Sequence, residues 1–182
     1  MGETEDKELL EKFRNSETRN YAFNLIVRKY QQKLYWNIRR MVADHDDSND
    51  ILQNVFIKVW KHLDGFKENS QLYTWLYRIA TNETLSFLKQ KKTNFFVPFQ
   101  KIEYQLNNSL ESDAYLKSDE IQKLLHNAII MLPAKQRLVF NMKYYDELKY
   151  EEISKILGTS VGALKASYHH AVKKIEDYLT SR

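Results

Sequence analysis

Two helical patterns meet at a single glycine near the end of the chain, and this junction constrains the fold more than any other stretch. Apolar residues at three- and four-residue steps run from Tyr150 to Leu157, stop at Gly158 and resume after Ser160. Glycine adopts a left-handed conformation at no steric cost, and a serine hydroxyl can cap the helix that follows. The spacing therefore predicts a helix-turn-helix.

The second helix of this pair has two different faces. Its apolar stripe is predicted to face a core and contains Val161, Leu164, Tyr168, Ala171, Val172 and Ile175. The outer face has small residues near its start and cationic residues further on, and Ser160 is the predicted cap of the helix. The residues of this face are Lys165, Ala166, His169, His170, Lys173 and Lys174. Such a face can enter a major groove and reach bases and phosphates. An ordinary helical hairpin with solvated lysines fits the same pattern, so this stretch alone leaves both interpretations open.

The remainder of the chain is predicted to be helical as well. Its 182 residues include only four glycines and two prolines, and almost no stretch alternates as a strand would. We expect an all-α fold of two small helical domains joined by a flexible linker, with the helix-turn-helix in the C-terminal domain.

Composition excludes several classes of protein. No cysteine is present, so a disulfide framework and a cysteine-based metal site are excluded, which suits the reducing cytoplasm. No run approaches the roughly 20 apolar residues that a membrane span needs. The net charge of +4 favours a polyanionic partner. The charge is basic at both ends and acidic in the middle. Within that middle, residues 93–118 have weak periodicity, one proline and several Asn and Ser residues, which predicts a linker between domains at residues 1–92 and 119–182.

The first half contains predicted helices at 9–14, 21–41 and 50–63. The acidic stretch 44–50 is expected to be a loop whose Ser48, or one of its aspartates, caps the third helix. A calcium loop would need a longer alternation of oxygen ligands around a central glycine, so no metal site is expected. The third helix carries a wide apolar arc, which fits either deep burial or a partner protein: Ile51, Leu52, Val55, Phe56, Val59, Trp60 and Leu63.

A polar loop at 66–70 leads into the most informative helix of the first half, predicted at 71–92. Its start is aromatic, with Tyr73, Trp75 and Tyr77, and its outer side carries Arg78, Thr81, Asn82, Lys89, Lys91 and Lys92. Rings that stack bases and cations that follow phosphates suit single-stranded nucleic acid. Simple packing of the aromatic residues explains the pattern equally well. Further helices are predicted at 119–132 and 134–145.

One motif raises the possibility of an enzyme. Residues 158–162 match G-x-S-x-G, the nucleophile elbow of hydrolases, in which a strand precedes an exposed serine. A predicted helix precedes Gly158, and Ser160 occupies a capping position. We therefore expect no catalytic residue and no cofactor.

Two blocks of the sequence together resemble one family, the extracytoplasmic-function sigma factors of bacterial RNA polymerase, within the sigma-70 family. The first half contributes DSNDILQNVFIKVWKHLDGF and TWLYRIATNETLSFLK, and the second LPAKQRLVFNMKYYDELKYEEISKILGTSVGALK. The resemblance implies promoter-specific transcription initiation by binding core polymerase and recognising −10 and −35 elements. A stand-alone helix-turn-helix regulator that binds duplex DNA is the alternative.

The resemblance also implies a role for individual residues. The third helix would dock on the clamp helices of the largest polymerase subunit through Asp50, Leu52, Gln53, Asn54, Phe56 and Trp60. The −10 contacts would come from Ser70, Gln71, Arg78, Asn82 and Lys89, and the −35 contacts from Ser160, Lys165, Ala166, His169, His170 and Lys173. Further partners would be the flap of the second-largest subunit and promoter DNA, while an anti-sigma factor is left open.

The chain departs from the family's pattern at several of these positions. Lys149 stands where a capping serine is frequent, and Ala163, Ser167 and His170 stand where the recognition helix often has Thr and two Arg. Ser86 stands where Asp is common. Fewer arginines mean fewer bidentate guanine contacts, which favours phosphate, water-mediated and shape recognition at −35.

Overall fold

The first half of the chain folds into four helices around one apolar core. The computed structural model describes residues 2–94 and 120–181. The first four helices are α1 (Gly2–Arg14), α2 (Arg19–Val42), α3 (His45–His62) and α4 (Leu72–Asn94), with a short 3₁₀ turn at Leu63–Gly65. Helix α2 lies at the centre and packs against the other three. Its periodic apolar residues, including Ile26, Leu34 and Ile38, are completely buried, as their spacing predicts.

The second half forms a smaller helical unit around its last helix. It consists of α5 (Glu120–Ile130), α6 (Ala134–Tyr144), α7 (Tyr150–Leu157) and α8 (Val161–Thr180), and α8 packs against the other three. Ala128, Ile129, Phe140, Ala171 and Ile175 belong to its core. The described residues contain no strand, so the expected all-α class is confirmed. Most of the predicted linker, 93–118, lies outside them.

The two helical units are packed against each other. Helix α4 contacts α7, and α2 contacts α6. Six buried apolar residues of the second unit belong to the same cluster as the core of the first: Leu138, Val139, Met142, Ile153, Ile156 and Leu164. The apolar interior is therefore continuous across the boundary between the units.

Helix α3 begins earlier than the sequence predicts. The stretch 44–50, expected to be a loop, forms its first turn, and the helix starts at His45 rather than at Asp50. Asp44 is the cap, because its Oδ1 accepts the N–H of Asp47 at 2.9 Å. Ser48, the alternative cap, is buried, and its hydroxyl donates to the Asp44 carbonyl. Asp46 and Asp47 suit the positive end of the helix dipole, which explains why an acidic run is helical here.

Two further details of the helix ends depart from expectation. Helix α1 starts at Gly2, well before the predicted Leu9. At the start of α7, Lys149 provides no side-chain cap, but the Glu152 carboxylate accepts the Lys149 N–H at 2.8 Å. This bond is one half of a capping box, and it partly replaces the serine that the family often has there.

Residues 2–94 and 120–181 contain neither a membrane-spanning helix nor a cluster of metal ligands. No described helix is long and apolar enough to cross a membrane. Within the same residues, no group of three or more histidine, aspartate or glutamate side chains could hold a metal ion.

Candidate nucleic-acid and partner interfaces

The turn between α7 and α8 has the geometry that its glycine predicts. Gly158 has a φ of +64° and ends α7, with its N–H donating to the Ser154 carbonyl at 2.8 Å. A Cβ added at this glycine would meet no atom within 4 Å, so the requirement for glycine comes from the backbone conformation alone. Ser160 caps α8, since its Oγ accepts the Ala163 N–H at 3.3 Å. The hydroxyl hydrogen of Ser160 remains able to donate outward.

Helix α8 presents the predicted residues on one exposed face. On the inner face Leu164, Ala171 and Ile175 are buried, and the Tyr168 ring stacks on Phe140 with centroids 5.7 Å apart. The residues expected to contact −35 are all exposed: Ser160, Lys165, Ala166, His169, His170 and Lys173. The structure therefore brings these six residues to one surface of the second unit.

Helix α4 carries a second predicted surface. Gln71, Arg78, Asn82 and Lys89 follow one another at steps of seven, four and seven residues, so they share one face of the helix, and all four are exposed. Ser70 lies half-buried just before the helix. The loop that leads to it is anchored by Phe66, which is buried, with its ring centroid 5.2 Å from that of Trp75.

The aromatic residues at the start of α4 pack inside the protein. Tyr77 is fully buried, and the Tyr73 ring lies against Tyr77 and Tyr30 at 5.1 and 6.2 Å. Trp75 is half-buried against Phe66. Of the two interpretations that the sequence left open for these rings, packing is the one that their surroundings favour.

Arg78 is engaged by the second unit. Its Nε donates to the Ile156 carbonyl at 3.2 Å, and its Nη2 donates to the Lys155 carbonyl. Both carbonyls belong to the last turn of α7, where helix carbonyls have no partner within the helix. The residue expected to contact DNA thus caps the C-terminal end of α7.

Helix α3 carries the third predicted surface. Asp50, Gln53 and Asn54 are exposed, whereas Leu52, Phe56 and Trp60 are half-buried and pack against the core. An apolar groove lies along this helix and is lined by Phe23, Gln53, Phe56, Ile57 and Trp60. Trp60 forms part of its wall, and the Trp60 ring makes edge-to-face contacts with Phe23 and Phe13 at 4.9 and 5.4 Å.

Two residues of this groove were absent from the sequence prediction. Ile57 is 45% exposed, although it lies between two half-buried aromatic residues of the same helix. Ile57 lies four residues after Gln53 and therefore on the same side of α3 as this exposed polar residue. That spacing was the available signal that Ile57 is exposed. Phe23 lies on α2, and spacing along α3 alone cannot indicate a residue of a neighbouring helix.

Comparison with known proteins assigns both halves of the chain. Residues 26–93 match the model of sigma-70 region 2, and residues 122–175 match that of sigma-70 region 4. The ECF RNA polymerase sigma factor SigW of Bacillus subtilis is 32% identical over 166 residues, covering 87% of this chain and 89% of that protein. The chain belongs to the extracytoplasmic-function sigma factors. It is therefore an RNA polymerase sigma factor that serves promoter recognition.

Solved structures share the fold of this sigma factor. The structure of CnrH in complex with the cytosolic domain of CnrY aligns with a TM-score of 0.69 at 20% identity and covers 97% of this chain and 98% of that one. The sigma factor RpoE of Bartonella quintana, in complex with the anti-sigma factor NepR, gives 0.66 at 21%, covering 87% and 96%. Since the first half of this sigma factor matches region 2, the alternative of a stand-alone regulator is set aside.

The G-x-S-x-G match lies in the wrong setting for a nucleophile elbow. Helix α7, not a strand, precedes Gly158, and Ser160 caps the next helix of this sigma factor. The match arises because the turn of this helix-turn-helix uses Gly158 to end one helix and Ser160 to cap the next.

Proposed function

We propose that this sigma factor docks on core RNA polymerase through the α3 groove. The observation that carries the proposal is the exposure of Ile57 next to Gln53, Phe56 and Trp60, an apolar surface with polar groups on its rim. Apolar grooves of this kind fit an amphipathic helix, and the family resemblance names the clamp helices of the largest subunit. Asp50 and Asn54 supply polar contacts at the rim.

We further propose that the α4 face and the 66–71 loop bind the −10 element as an unpaired strand. Extruding a base costs a few kcal/mol, and the sequence has no G-x-x-x-x-G-K-[ST] motif for nucleotide hydrolysis, so binding must supply this energy. Amide and hydroxyl groups of Ser70, Gln71 and Asn82 can hydrogen-bond a flipped base, while Arg78 and Lys89 hold phosphates.

We assign −35 recognition to the exposed face of α8. Small residues near its start, including Ala166, allow close approach to the major groove, and Lys165 and Lys173 reach phosphates. His169 and His170 supply phosphate or water-mediated contacts that offset the loss of the arginines the family often has at the positions of Ser167 and His170. Shape recognition therefore carries much of the selectivity at this element.

The organisation of the working complex follows from these assignments. We propose domains at 1–92 and 119–182 joined by a linker at 93–118, and the extents of the region 2 and region 4 matches support this division. The second domain would meet the flap of the second-largest subunit. An anti-sigma partner is supported by the solved relative bound to NepR. We infer that the protein acts in the cytoplasm, where its polymerase is, and catalyses no reaction itself.

Run-off transcription with purified core polymerase on a genomic library tests the proposed function. Specific transcripts should appear only when the sigma factor is added, and permanganate footprints should show an open −10 region. A correctly folded sample that directs no initiation would contradict the proposal.

A further inference from the structure

Two ion pairs connect the 66–71 loop to the turn between α1 and α2. Arg19, the first residue of α2, donates two hydrogen bonds to the carboxylate of Asp64, just before the loop, at 3.1 and 2.5 Å. Arg14, the last residue of α1, donates from its Nη2 to Oε1 of Glu68 within the loop at 2.7 Å. The loop is thus tied at two points to a part of the chain that lies 45 and 54 positions earlier.

The Arg19 guanidinium is itself held by aromatic rings. Its Cζ lies 4.2 Å from the centroid of the Phe13 ring and 5.0 Å from that of the Trp60 ring. Such positions add cation–π attraction, and the planar fork of the guanidinium matches both oxygens of a carboxylate. Because Phe13 is buried, the position of Asp64 is tied to the apolar core of the first unit.

The backbone conformation of Glu68 is opposed by its local preference. Its φ is +56°, in the left-handed region that disfavours residues with a Cβ. Contacts outside the residue must therefore favour this conformation. The buried ring of Phe66, two residues earlier, is one such contact, and the ion pair with Arg14 is another.

The segment held in this way leads directly into the residues proposed to bind a base. Ser70 and Gln71 follow Glu68 by two and three positions. Hydrogen bonds weaken steeply as their distance and angle depart from the optimum, so reading a base requires a defined loop backbone. A loop that is already ordered also loses less conformational entropy on binding.

We propose that Arg14 and Arg19 are positioning residues for −10 recognition. Acting through Glu68 and Asp64, they hold the 66–71 loop in the conformation that reads an unpaired base, and neither arginine contacts DNA. The inference rests on the proposed role of this loop at −10. The two arginines should therefore contribute to discrimination between bases and not to phosphate binding.

Base discrimination by the holoenzyme measures this positioning. The probes are the single-stranded non-template −10 segment of a promoter used in the run-off assay and the same segment with one base changed at a time. A variant that merely unfolds lowers both affinities equally and leaves their ratio unchanged. Arg14→Ala and Asp64→Ala should lower the ratio about two- to fivefold, the upper range for a partly exposed ion pair. Asp64→Ala leaves Arg19 packed on its aromatic rings.

A variant at position 68 tests whether Arg14 acts through Glu68. In Glu68→Gly the left-handed conformation has no steric cost, but the carboxylate is absent. This variant should lower the ratio as Arg14→Ala does. Adding Arg14→Ala to Glu68→Gly should change neither the ratio nor the affinities, because the two residues share one contact. An arginine that bound a phosphate would still lower the affinities in that background.

Loop order can be measured in the free chain without DNA. The chain has no cysteine, so Lys67→Cys provides a unique position for a nitroxide label in the loop. Its mobility in electron paramagnetic resonance should rise in Arg14→Ala and in Asp64→Ala. Arg28→Ala removes an exposed cation further along α2 and is the matched control, which should change neither mobility nor ratio.

The possible failures can be told apart. Unchanged label mobility in Arg14→Ala and Asp64→Ala would show that the ion pairs do not hold the loop. Raised mobility with an unchanged ratio would show that loop order does not serve base reading, and a further loss of affinity from Arg14→Ala in the Glu68→Gly background would assign Arg14 to DNA; each result would overturn the positioning role. An unmodified holoenzyme that binds original and changed segments equally would instead refute the proposed −10 function of the loop.

Discussion

Replacing Ile57 separates the docking surface from the folded core more cleanly than any other change on α3. Leu52 and Phe56 are half-buried against the core, so a charged residue at either position would damage folding as well as docking. Ile57 is 45% exposed and lies in the groove with Gln53 and Trp60. We expect Ile57→Ala to weaken binding to core polymerase and Ile57→Asp to weaken it much more.

The exposed fraction of Ile57 sets the size of the effect. Complete burial of an isoleucine side chain contributes about 1.5–3 kcal/mol, so covering the exposed 45% contributes about 0.7–1.4 kcal/mol. Losing this contribution in Ile57→Ala should weaken binding about 3- to 10-fold. An unpaired carboxylate in the covered groove costs several kcal/mol more, so Ile57→Asp should weaken binding more than about a hundredfold. The loss of packing inside the free chain should cost only about 1 kcal/mol of folding stability.

Competition for core polymerase provides the assay, with thermal unfolding measured in parallel. Leu179→Ala and Leu179→Asp are matched controls, because Leu179 is 39% exposed and lies on α8, away from the groove. Because α8 belongs to the unit proposed to meet the flap, these controls should weaken core binding far less than the matching Ile57 variants rather than not at all. The reasoning would be refuted if Ile57→Asp bound core polymerase as well as Leu179→Asp, or if its binding were lost only in proportion to unfolded protein.

Four further outcomes are expected. Gly158→Ala should lower Tm by about 2–8 °C, since a left-handed non-glycine residue costs about 1–2 kcal/mol. Gly162→Ala should not lower Tm, because Gly162 is helical and an added Cβ would meet no atom within 4 Å there either. Equal effects of the two substitutions would contradict the backbone explanation. Asn82→Ala should impair initiation on duplex promoter more than on a template mismatched across −10, and unchanged permanganate reactivity on the duplex would leave Asn82 a solvated helix residue. Burial raises the pKa of Tyr30, Tyr73 and Tyr77 above that of an unfolded tyrosine, so the stability that they contribute is present below about pH 10 and is lost as the pH rises further. The absorbance of their tyrosinate forms should therefore appear together with the loss of circular dichroism. Tyrosinate absorbance that appears before unfolding would contradict the assigned burial. The free chain should bind promoter duplex weakly at physiological salt, because a single recognition helix with few cations makes few phosphate contacts. Tight sequence-specific binding in an electrophoretic shift would contradict this expectation.

Helix positions and faces were predictable because they depend on local spacing. The three- and four-residue periodicity of α2 and α8 identified their buried stripes, and Gly158 marked the turn through its backbone requirement alone. The start of α3 was missed because an acidic run resembles a polar loop in composition. Asp44 and the two acidic residues of the first turn stabilise that helix end instead.

The contacts between the units could not be predicted from spacing. Arg78 and Lys155 are 77 positions apart, and Arg40 and Asp146 are 106 apart. Each of these residues looks like an ordinary solvated charge in its own helix or loop. Ile57 is a different case, because its four-residue step from the polar Gln53 was a signal that the sequence did contain.

The apolar interior that runs through both helical units couples the stability of one unit to that of the other. Leu138, Met142 and Ile153 are buried within the same cluster as the core of the first unit, so neither unit can melt without exposing part of the other. Each unit has only a small core of its own, so the shared cluster contributes to the stability of both. A substitution that shrinks a side chain of this shared core should therefore lower the stability of both units, including the one in which it does not lie.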